Sequence, residues 1–231
     1  MPVNEFQQPI GSPVDWQPRG LPQRVVLQGR TTRLEPLNTQ SHSRQLYQAY
    51  VQATDSRHWT YMAYGPFANL EDYEKHCANL ASSNDPMHWA VIDTTSGVAV
   101  GSLSLMRIDA INGVVEVGHV MFSPLLQGSV MSTEAQFLLM QYVFDELGYR
   151  RYEWKCDALN APSRKAAERL GFSFEGVFRQ AVVYKGRNRD TAWFSLLDSE
   201  WPECKAAFLR WLAPDNFDAK GQQIRPLKVK P

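Results

Sequence analysis

The order in which strand-like and helix-like periods follow one another constrains the fold of this chain most. Three strand-like segments, at 88–93, 98–108 and 114–122, are separated by short turn signals, which is typical of an antiparallel meander. A helical spacing of apolar residues follows at 135–147 and ends at Gly148. The remaining segments are a strand at 151–156, a short helix at 162–170, strands at 172–184 and 191–197, and a closing amphipathic helix at 200–212.

The N-terminal part adds a strand and two helices to this order. Alternation at 32–37 indicates a short strand, which Pro36 confines to an edge or an end of the sheet. Helical patterns follow at 43–53 and 69–80, and the loop at 59–67 between them is unusually aromatic. The complete order, β, α, α, β, β, β, α, β, α, β, β, α, predicts an α/β sheet with both antiparallel and parallel strand pairs.

The charges of the chain balance, because 24 Lys and Arg residues stand against 24 Asp and Glu residues. A protein that neutralises a nucleic-acid backbone needs a basic excess, so this balance argues against a nucleic-acid partner. The chain has no apolar run near the ~20 residues of a membrane helix, and its first residues lack a signal-peptide pattern. We therefore expect a cytoplasmic protein without membrane contact.

Cysteine and proline positions refine this expectation. Cys77, Cys156 and Cys204 are far apart and odd in number, which favours buried free thiols over a disulfide framework, and we expect no metal site. Prolines crowd the first 22 residues and predict an extended arm at 1–29, while a polar, proline-punctuated stretch predicts a tail at 214–231. Residues 30–213, which no linker divides, are predicted to form one domain.

A strand-loop-helix junction at 122–135 carries the strongest functional signal. Its loop places exposed backbone amides at a helix start, where unpaired N–H groups and the helix dipole favour a bound anion, typically a phosphate. Together with 152–160, 163–172, 175–179 and 186–190, this junction resembles the GNAT superfamily of acyl-CoA-dependent N-acetyltransferases, and more narrowly its RimJ/RimL-like branch. The most specific elements are Thr133-Glu134-Ala135 and the spacing from Asn160 through Ser163 to Gly171-Phe172.

The resemblance, which extends over residues 30–201, implies a fold and an activity. The implied fold is a mixed, mostly antiparallel twisted sheet of six to seven strands, flanked by helices and splayed at the acyl-CoA site. The implied activity is transfer of an acetyl group from acetyl-CoA to a primary amine by direct attack in a ternary complex, with CoA as product. The acceptor would be a protein or peptide N-terminus, an amino acid or a small amine, and homodimers are possible in this family. An acyl-CoA-binding sensor or scaffold and a purely structural partner protein are the alternatives.

The resemblance also implies which residues bind the cofactor. Backbone of the strand before the loop would pair with the pantetheine, and amides of the loop and helix start would hold the pyrophosphate. The residues assigned in this way are Val120, Met121, Phe122, Gln127, Gly128, Ser129, Val130, Met131, Ser132, Thr133, Asn160, Ser163 and Arg164. Asn160 is equally suited to capping the helix that follows it. Val130 replaces the first glycine of the family's phosphate loop, so the turn must be made by Gly128 and Ser129 while Val130 keeps a helical φ.

Three residues are catalytic candidates. Many family members use a tyrosine on the short helix as an acid, but Ala167 stands at that position, which leaves Ser163 to hydrogen-bond the departing sulfur or to satisfy local amides. Glu116 is the candidate base, and a cross-strand ion pair with Arg107 or Lys155 is the alternative. His119, which strand alternation places on the opposite face from Glu116, is a second candidate base or a hydrogen-bonded core residue.

The acceptor pocket is predicted to form from the aromatic loop and the last strands. The wall candidates are Trp59, Tyr61, Arg107, Arg179 and Tyr184. Aromatic residues in such a loop are also suited to forming a lid over the core, so both interpretations stay open at this point.

Overall fold

The computed structural model describes residues 1–229; Lys230 and Pro231, the end of the predicted tail, lie outside the described residues. The strands are β1 (Leu27–Gln28), β2 (Thr32–Pro36), β3 (Met87–Asp93), β4 (Ala99–Asp109), β5 (Val114–Phe122), β6 (Arg151–Asp157), β7 (Ser173–Tyr184) and β8 (Arg187–Leu197). The helices are α1 (Thr39–Tyr50), α2 (Leu70–Ser82), α3 (Val130–Gln141), α4 (Ala161–Arg169) and α5 (Trp201–Leu212). A π-helical turn, Tyr142–Glu146, extends α3.

The strands of the described residues form one eight-stranded sheet in the order β1-β2-β3-β4-β5-β6-β8-β7. β5 and β6 pair in parallel, and the other neighbouring strands pair antiparallel. The sheet is therefore mixed and mostly antiparallel, as predicted. It exceeds the predicted six to seven strands by β1, whose two residues are too few to show a period.

Two hydrophobic clusters lie on opposite faces of the sheet. Side chains of β3 alternate between them, with Trp89 and Val91 in the cluster under α3 and α5, and Ala90 and Ile92 in the cluster under α1 and α2. The strand is thus buried on both faces, which is why it reads as a nearly continuous apolar run.

Several predicted boundaries differ from the structure, and two of them have a clear local cause. α1 begins at Thr39 rather than at residue 43, because Asn38 caps it and accepts a hydrogen bond from the Ser41 amide at 3.0 Å. β8 begins at Arg187 rather than at residue 191, because a turn at Lys185 and Gly186 closes the β7–β8 hairpin directly. The exposed polar residues at the start of β8 show no apolar alternation that could have indicated this.

Glu134, in the second turn of α3, ties that helix to the turn between β1 and β2. Its buried carboxylate accepts hydrogen bonds from the backbone amides of Arg30, Thr31 and Thr32 at 2.8, 2.7 and 3.0 Å, and from the Thr31 hydroxyl. This carboxylate of the Thr-Glu-Ala segment therefore anchors the start of the sheet beneath α3.

The predicted arm and the described part of the predicted tail contact the sheet and helices. In the predicted arm, Trp16 donates from Nε1 to the Ile111 carbonyl at 2.7 Å, and Trp89 of β3 donates to the Val25 carbonyl at 2.9 Å. In the tail, Val229 packs against Gly171, just after α4.

Candidate active site

The sheet opens between its two central strands. β5 and β6 pair from Val114 opposite Arg151 to Val117 opposite Trp154, and no further pair joins them among the described residues. Beyond this point β5 continues to Phe122 beside β4, and β6 continues to Asp157 beside β8. On the side of β6, the carboxyl end of β5 therefore presents a backbone edge with no strand paired to it, which opens a cleft between the two strands.

A bulge in β5 determines which side chains face this cleft. Ser104 of β4 pairs with Gly118 and Ser102 pairs with Met121, so β5 carries one extra residue between these pairs. His119 takes a left-handed φ of 48° at the bulge, and its ring stacks on that of Tyr64 in the cluster under α1 and α2. The prediction that His119 lies opposite Glu116 is therefore wrong, because the extra residue reverses the alternation and brings both side chains to one face.

The loop between β5 and α3 makes its turn where the sequence required it. Gly128 has a φ of +70°, and Val130 is the first residue of α3, with no left-handed φ. Ser129 caps the helix and accepts from the Ser132 amide at 3.3 Å, whereas the amides of Gly128, Val130 and Met131 have no partner within the described residues. These amides and the positive end of α3 provide a place for an anion.

Gln127 and the three candidates at the start of α4 lie at the same cleft. Gln127 donates from Nε2 to the Phe122 carbonyl at 2.8 Å, on the residue that ends β5. Asn160 caps α4 and accepts from the Ser163 amide at 3.2 Å, so the capping role considered for it is present. Ser163 Oγ accepts from Trp154 Nε1 at 3.0 Å, and the Ser163 hydroxyl also hydrogen-bonds the Cys156 thiol. Burial raises the pKa of Cys156, and this hydrogen bond opposes that larger effect. Arg164 donates to the Ala158 carbonyl at 3.3 Å.

Glu116 is buried among charged groups on the α1/α2 side of the cleft. Its Oε2 lies 2.9 Å from Lys155 Nζ and 3.2 Å from Arg107 Nε, so both ion pairs considered as alternatives are formed. Burial raises the pKa of Glu116, an effect that Lys155 and then Arg107 oppose. Its Oε1 lies over Gly118, where a Cβ atom would be 3.7 Å from that oxygen and 2.3 Å from Met106 Sδ. The missing side chain at 118 therefore leaves Glu116 Oε1 facing the bulge.

His119 completes the polar groups on this side. Its Nδ1 lies 3.3 Å from the Tyr64 hydroxyl, and its ring meets that of His88 edge-on at 5.2 Å. Burial lowers the pKa of His119, so its imidazole is favoured in the neutral form, which can accept a proton.

The predicted wall residues lie in four places. Tyr61 donates to the Leu159 carbonyl at 3.1 Å and Tyr184 donates to Asp157 at 2.8 Å, so both lie at the end of β6 where the sheet opens. Trp59 is buried among aromatic rings in the α1/α2 cluster, where it also lines a cavity of about 200 Å³. Arg179 lines an open groove of about 870 Å³ beside the β7–β8 hairpin, and Arg107 pairs with Glu116.

Sequence reasoning missed several contacts at this site. Tyr64 beside His119, Trp154 behind Ser163 and Asp157 beneath Tyr184 were not named, and Lys155 was named only as an ion-pair partner. Alternation along β6 could have found Glu153, Lys155 and Asp157 as one polar face, since Tyr152, Trp154 and Cys156 are apolar.

Within residues 1–229, no group of His, Cys, Asp and Glu side chains is arranged to hold a metal ion. None of the helices in this range has the length and apolar character that crossing a membrane requires.

Comparison with known proteins agrees with this fold. The model of the acetyltransferase (GNAT) domain matches residues 32–173, more than half of the chain. The chain is 52% identical to a GCN5-related N-acetyltransferase from Brucella melitensis, with a TM-score of 0.90 over 92% of this chain and 96% of that one. It is 39% identical to a probable acetyltransferase of the GNAT family from Chromobacterium violaceum ATCC 12472, with a TM-score of 0.78 over 84% of this chain and 99% of that one.

The splayed sheet, with free amides at the mouth of the cleft, is the acyltransferase fold that the sequence resemblance predicted, and these matches confirm it. The chain belongs to the GNAT superfamily and is an acetyltransferase. It is also 32% identical over 105 residues to YdaF of Bacillus subtilis (strain 168), named as a putative ribosomal N-acetyltransferase, which supports the RimJ/RimL-like branch. That match covers 46% of this chain and 57% of YdaF.

Proposed function

We propose that this protein transfers an acetyl group from acetyl-CoA to a primary amine by direct attack in a ternary complex. The observation that carries the proposal is the cleft between β5 and β6, which has free amides at one end and two proton-accepting side chains, Glu116 and His119, on one side. Bound acetyl-CoA supplies the thioester carbonyl that the amine attacks and the thiolate that leaves.

The described residues fit such a ligand. The amides of Gly128, Val130 and Met131 would hold its pyrophosphate, since they point from a helix start and have no internal partner. The backbone edge from Val120 to Phe122 would pair with the amide-rich pantetheine as an added strand does. Asn160 and Arg164 flank the opposite wall at the start of α4.

The two sides of the cleft would divide the proton chemistry. Amine attack requires a base, and Glu116 Oε1 and His119 face the same side, so the amine proton would pass to Glu116 directly or through a water, with His119 as the second candidate. On the α4 side, Ser163 would donate its hydroxyl proton as a hydrogen bond to the departing sulfur, because Trp154 already occupies its oxygen. The last step needs only a weak donor, since a thiol with an ordinary pKa near 8.5 leaves tolerably as thiolate.

Thiol release from acetyl-CoA over a panel of peptide N-termini, amino acids and small amines tests this function. A peptide with a free N-terminus is included because one relative is named as a ribosomal N-acetyltransferase. We expect Glu116→Gln to lower kcat/KM by about 10²–10⁴-fold, and Glu203→Gln, on α5 away from the cleft, to leave it unchanged. Loss of turnover in His119→Gln but not in Glu116→Gln would instead assign the base to His119.

Binding measurements separate the alternatives. If calorimetry detects CoA binding but no amine in the panel causes thiol release from acetyl-CoA, an acyl-CoA sensor or scaffold is favoured. Absence of any heat or thermal shift at millimolar CoA would exclude both the enzyme and the sensor.

A further inference from the structure

Lys155 lies at the centre of a buried charge cluster on the floor of the cleft. Its Nζ is 2.9 Å from Glu116 Oε2, 2.6 Å from Glu153 Oε2 and 3.6 Å from the centroid of the Trp193 ring. The Lys155 side chain is only 4% exposed. An ammonium group in this position has exchanged its water for two carboxylates and an aromatic face.

The cluster continues on both sides as a row of alternating charges. Arg107 pairs with Glu116 at 3.2 Å, Arg151 pairs with Glu153 at 2.7 Å, and Arg151 also pairs with Glu175. Glu116 and Glu153 lie directly opposite each other on the neighbouring strands β5 and β6. Lys155 is the cation that contacts both carboxylates, so its removal leaves no cation between them. Lys155 is therefore the group that separates the candidate base from a second carboxylate.

The geometry at Glu116 gives Lys155 a directional effect as well. Both cations that contact Glu116 lie on Oε2, and Oε1 is the oxygen that faces Gly118 and the bulge. The Arg107 side chain is largely exposed, whereas the Lys155 side chain, on β6, is buried against the ring of Trp193 on β8. The buried cation thus fixes which oxygen of Glu116 is left for a substrate.

We propose that Lys155 is a positioning residue for acetyl transfer. It holds Glu116 Oε2, so that the carboxylate stays ionised and its Oε1 stays directed at the acceptor amine. The proposal rests on the proposed function, because it gives Glu116 the role of base. The charged and titratable groups that face Glu116 are Arg107 on β4, Lys155 and Glu153 on β6, and, on the same face, His119 on β5 and His88 on β3.

The pH profile of kcat/KM in the full chain tests Lys155. Replacing Lys155→Met removes a cation 2.9 Å from Glu116 and leaves it facing Glu153. We expect the acid limb of the profile to move to higher pH by about 1–3 pH units, with kcat falling at neutral pH. We expect Lys155→Arg, which keeps the charge, to hold the limb near its wild-type position.

A second readout does not depend on activity. Titration of the Glu116 side-chain carboxyl by ¹³C NMR should show the same upward move of its midpoint in Lys155→Met. If Lys155→Met folds poorly, the double variant Lys155→Met/Glu153→Gln removes the opposing carboxylate, and its Glu116 midpoint should still lie above that of wild type, because the cation at Oε2 is missing.

The control is Lys205→Met, because Lys205 also pairs with one carboxylate, Asp145, at 2.6 Å, but lies on α5. Lys205→Met should lower the free energy of unfolding only slightly, and it should leave the acid limb of the kcat/KM profile at its wild-type pH. An unmoved Glu116 midpoint in Lys155→Met and in the double variant would overturn the role of Lys155. An acid limb that persists in Glu116→Gln would instead refute Glu116 as the base, while the NMR midpoints would still test its coupling to Lys155.

Discussion

Ser163 shows how one hydroxyl can serve stability and chemistry together. Its oxygen accepts the indole N–H of buried Trp154 at 3.0 Å, and its hydroxyl also hydrogen-bonds the Cys156 thiol. Ser163→Ala leaves that indole donor without a partner, which costs about 1–3 kcal/mol when the group is buried. We expect urea denaturation to show this loss and thiol-release assays to show a lower kcat.

The two effects can be separated with Trp154→Phe, which removes the orphaned donor. In the double variant, the stability loss specific to Ser163→Ala should largely disappear, because the two residues are coupled, whereas kcat should stay low. A kcat that recovers with stability would mean that Ser163 acts only through the fold.

At the scale of elements, the β5–α3 loop combines a left-handed turn with a helix start. Gly128 has a φ of +70° and open space where a Cβ would lie, so Gly128→Ala is strained by its backbone alone. Gly97, in the turn between β3 and β4, has nearly the same φ, +71°, and equally open surroundings. Each replacement should destabilise the protein by about 1–2 kcal/mol. We expect only Gly128→Ala to raise the KM for acetyl-CoA, since that loop, unlike the β3–β4 turn, leads into α3 at the proposed cofactor site. Equal KM values for the two variants would contradict a role for this loop in binding.

The same elements show what sequence reasoning could and could not predict. The bounds of β5 and the turn at Gly128 were predicted because they depend on local periodicity and on one flexible residue. The face on which His119 lies was not predicted, because it depends on a bulge that arises from the register of β5 against β4. Residue 119 is also not a glycine, so the sequence does not signal its left-handed φ. Trp154 and Tyr64 were missed for a related reason, since their contacts with Ser163 and His119 span separate elements.

At the scale of the whole molecule, the central strands bury polar groups that tie stability to pH. His88 is 1% exposed, and neither ring nitrogen has a hydrogen-bond partner among residues 1–229. Burial, followed by the proximity of His119 and His76, lowers its pKa to about 3. The unfolded chain therefore binds a proton near the ordinary histidine pKa of about 6.5, whereas the folded chain does not until far lower pH.

The lowered pKa of His88 makes the folded protein less stable in acid. Between pH 6.5 and about 3 the unfolded state holds more protons at position 88, so the free energy of unfolding falls as pH falls, by up to about 1.4 kcal/mol per pH unit. Burial also lowers the pKa values of His58, His76 and His119, and these groups add to the same slope. We therefore expect acid to unfold the protein cooperatively, through the two cores that share the central strands.

His88→Gln tests this contribution, because glutamine keeps a polar side chain but cannot take up a proton. Urea denaturation from pH 7 to pH 4 should show a shallower decline in unfolding free energy than in wild type, by about one proton's share. His42→Gln is the matched control: His42 is also buried, but its ring contacts both the Asn38 amide and Glu35. Its replacement removes both contacts and should therefore lower the free energy of unfolding already at pH 7. An unchanged slope in His88→Gln would mean that His88 takes up its proton equally in the folded and unfolded states. That result would contradict the lowered pKa of His88.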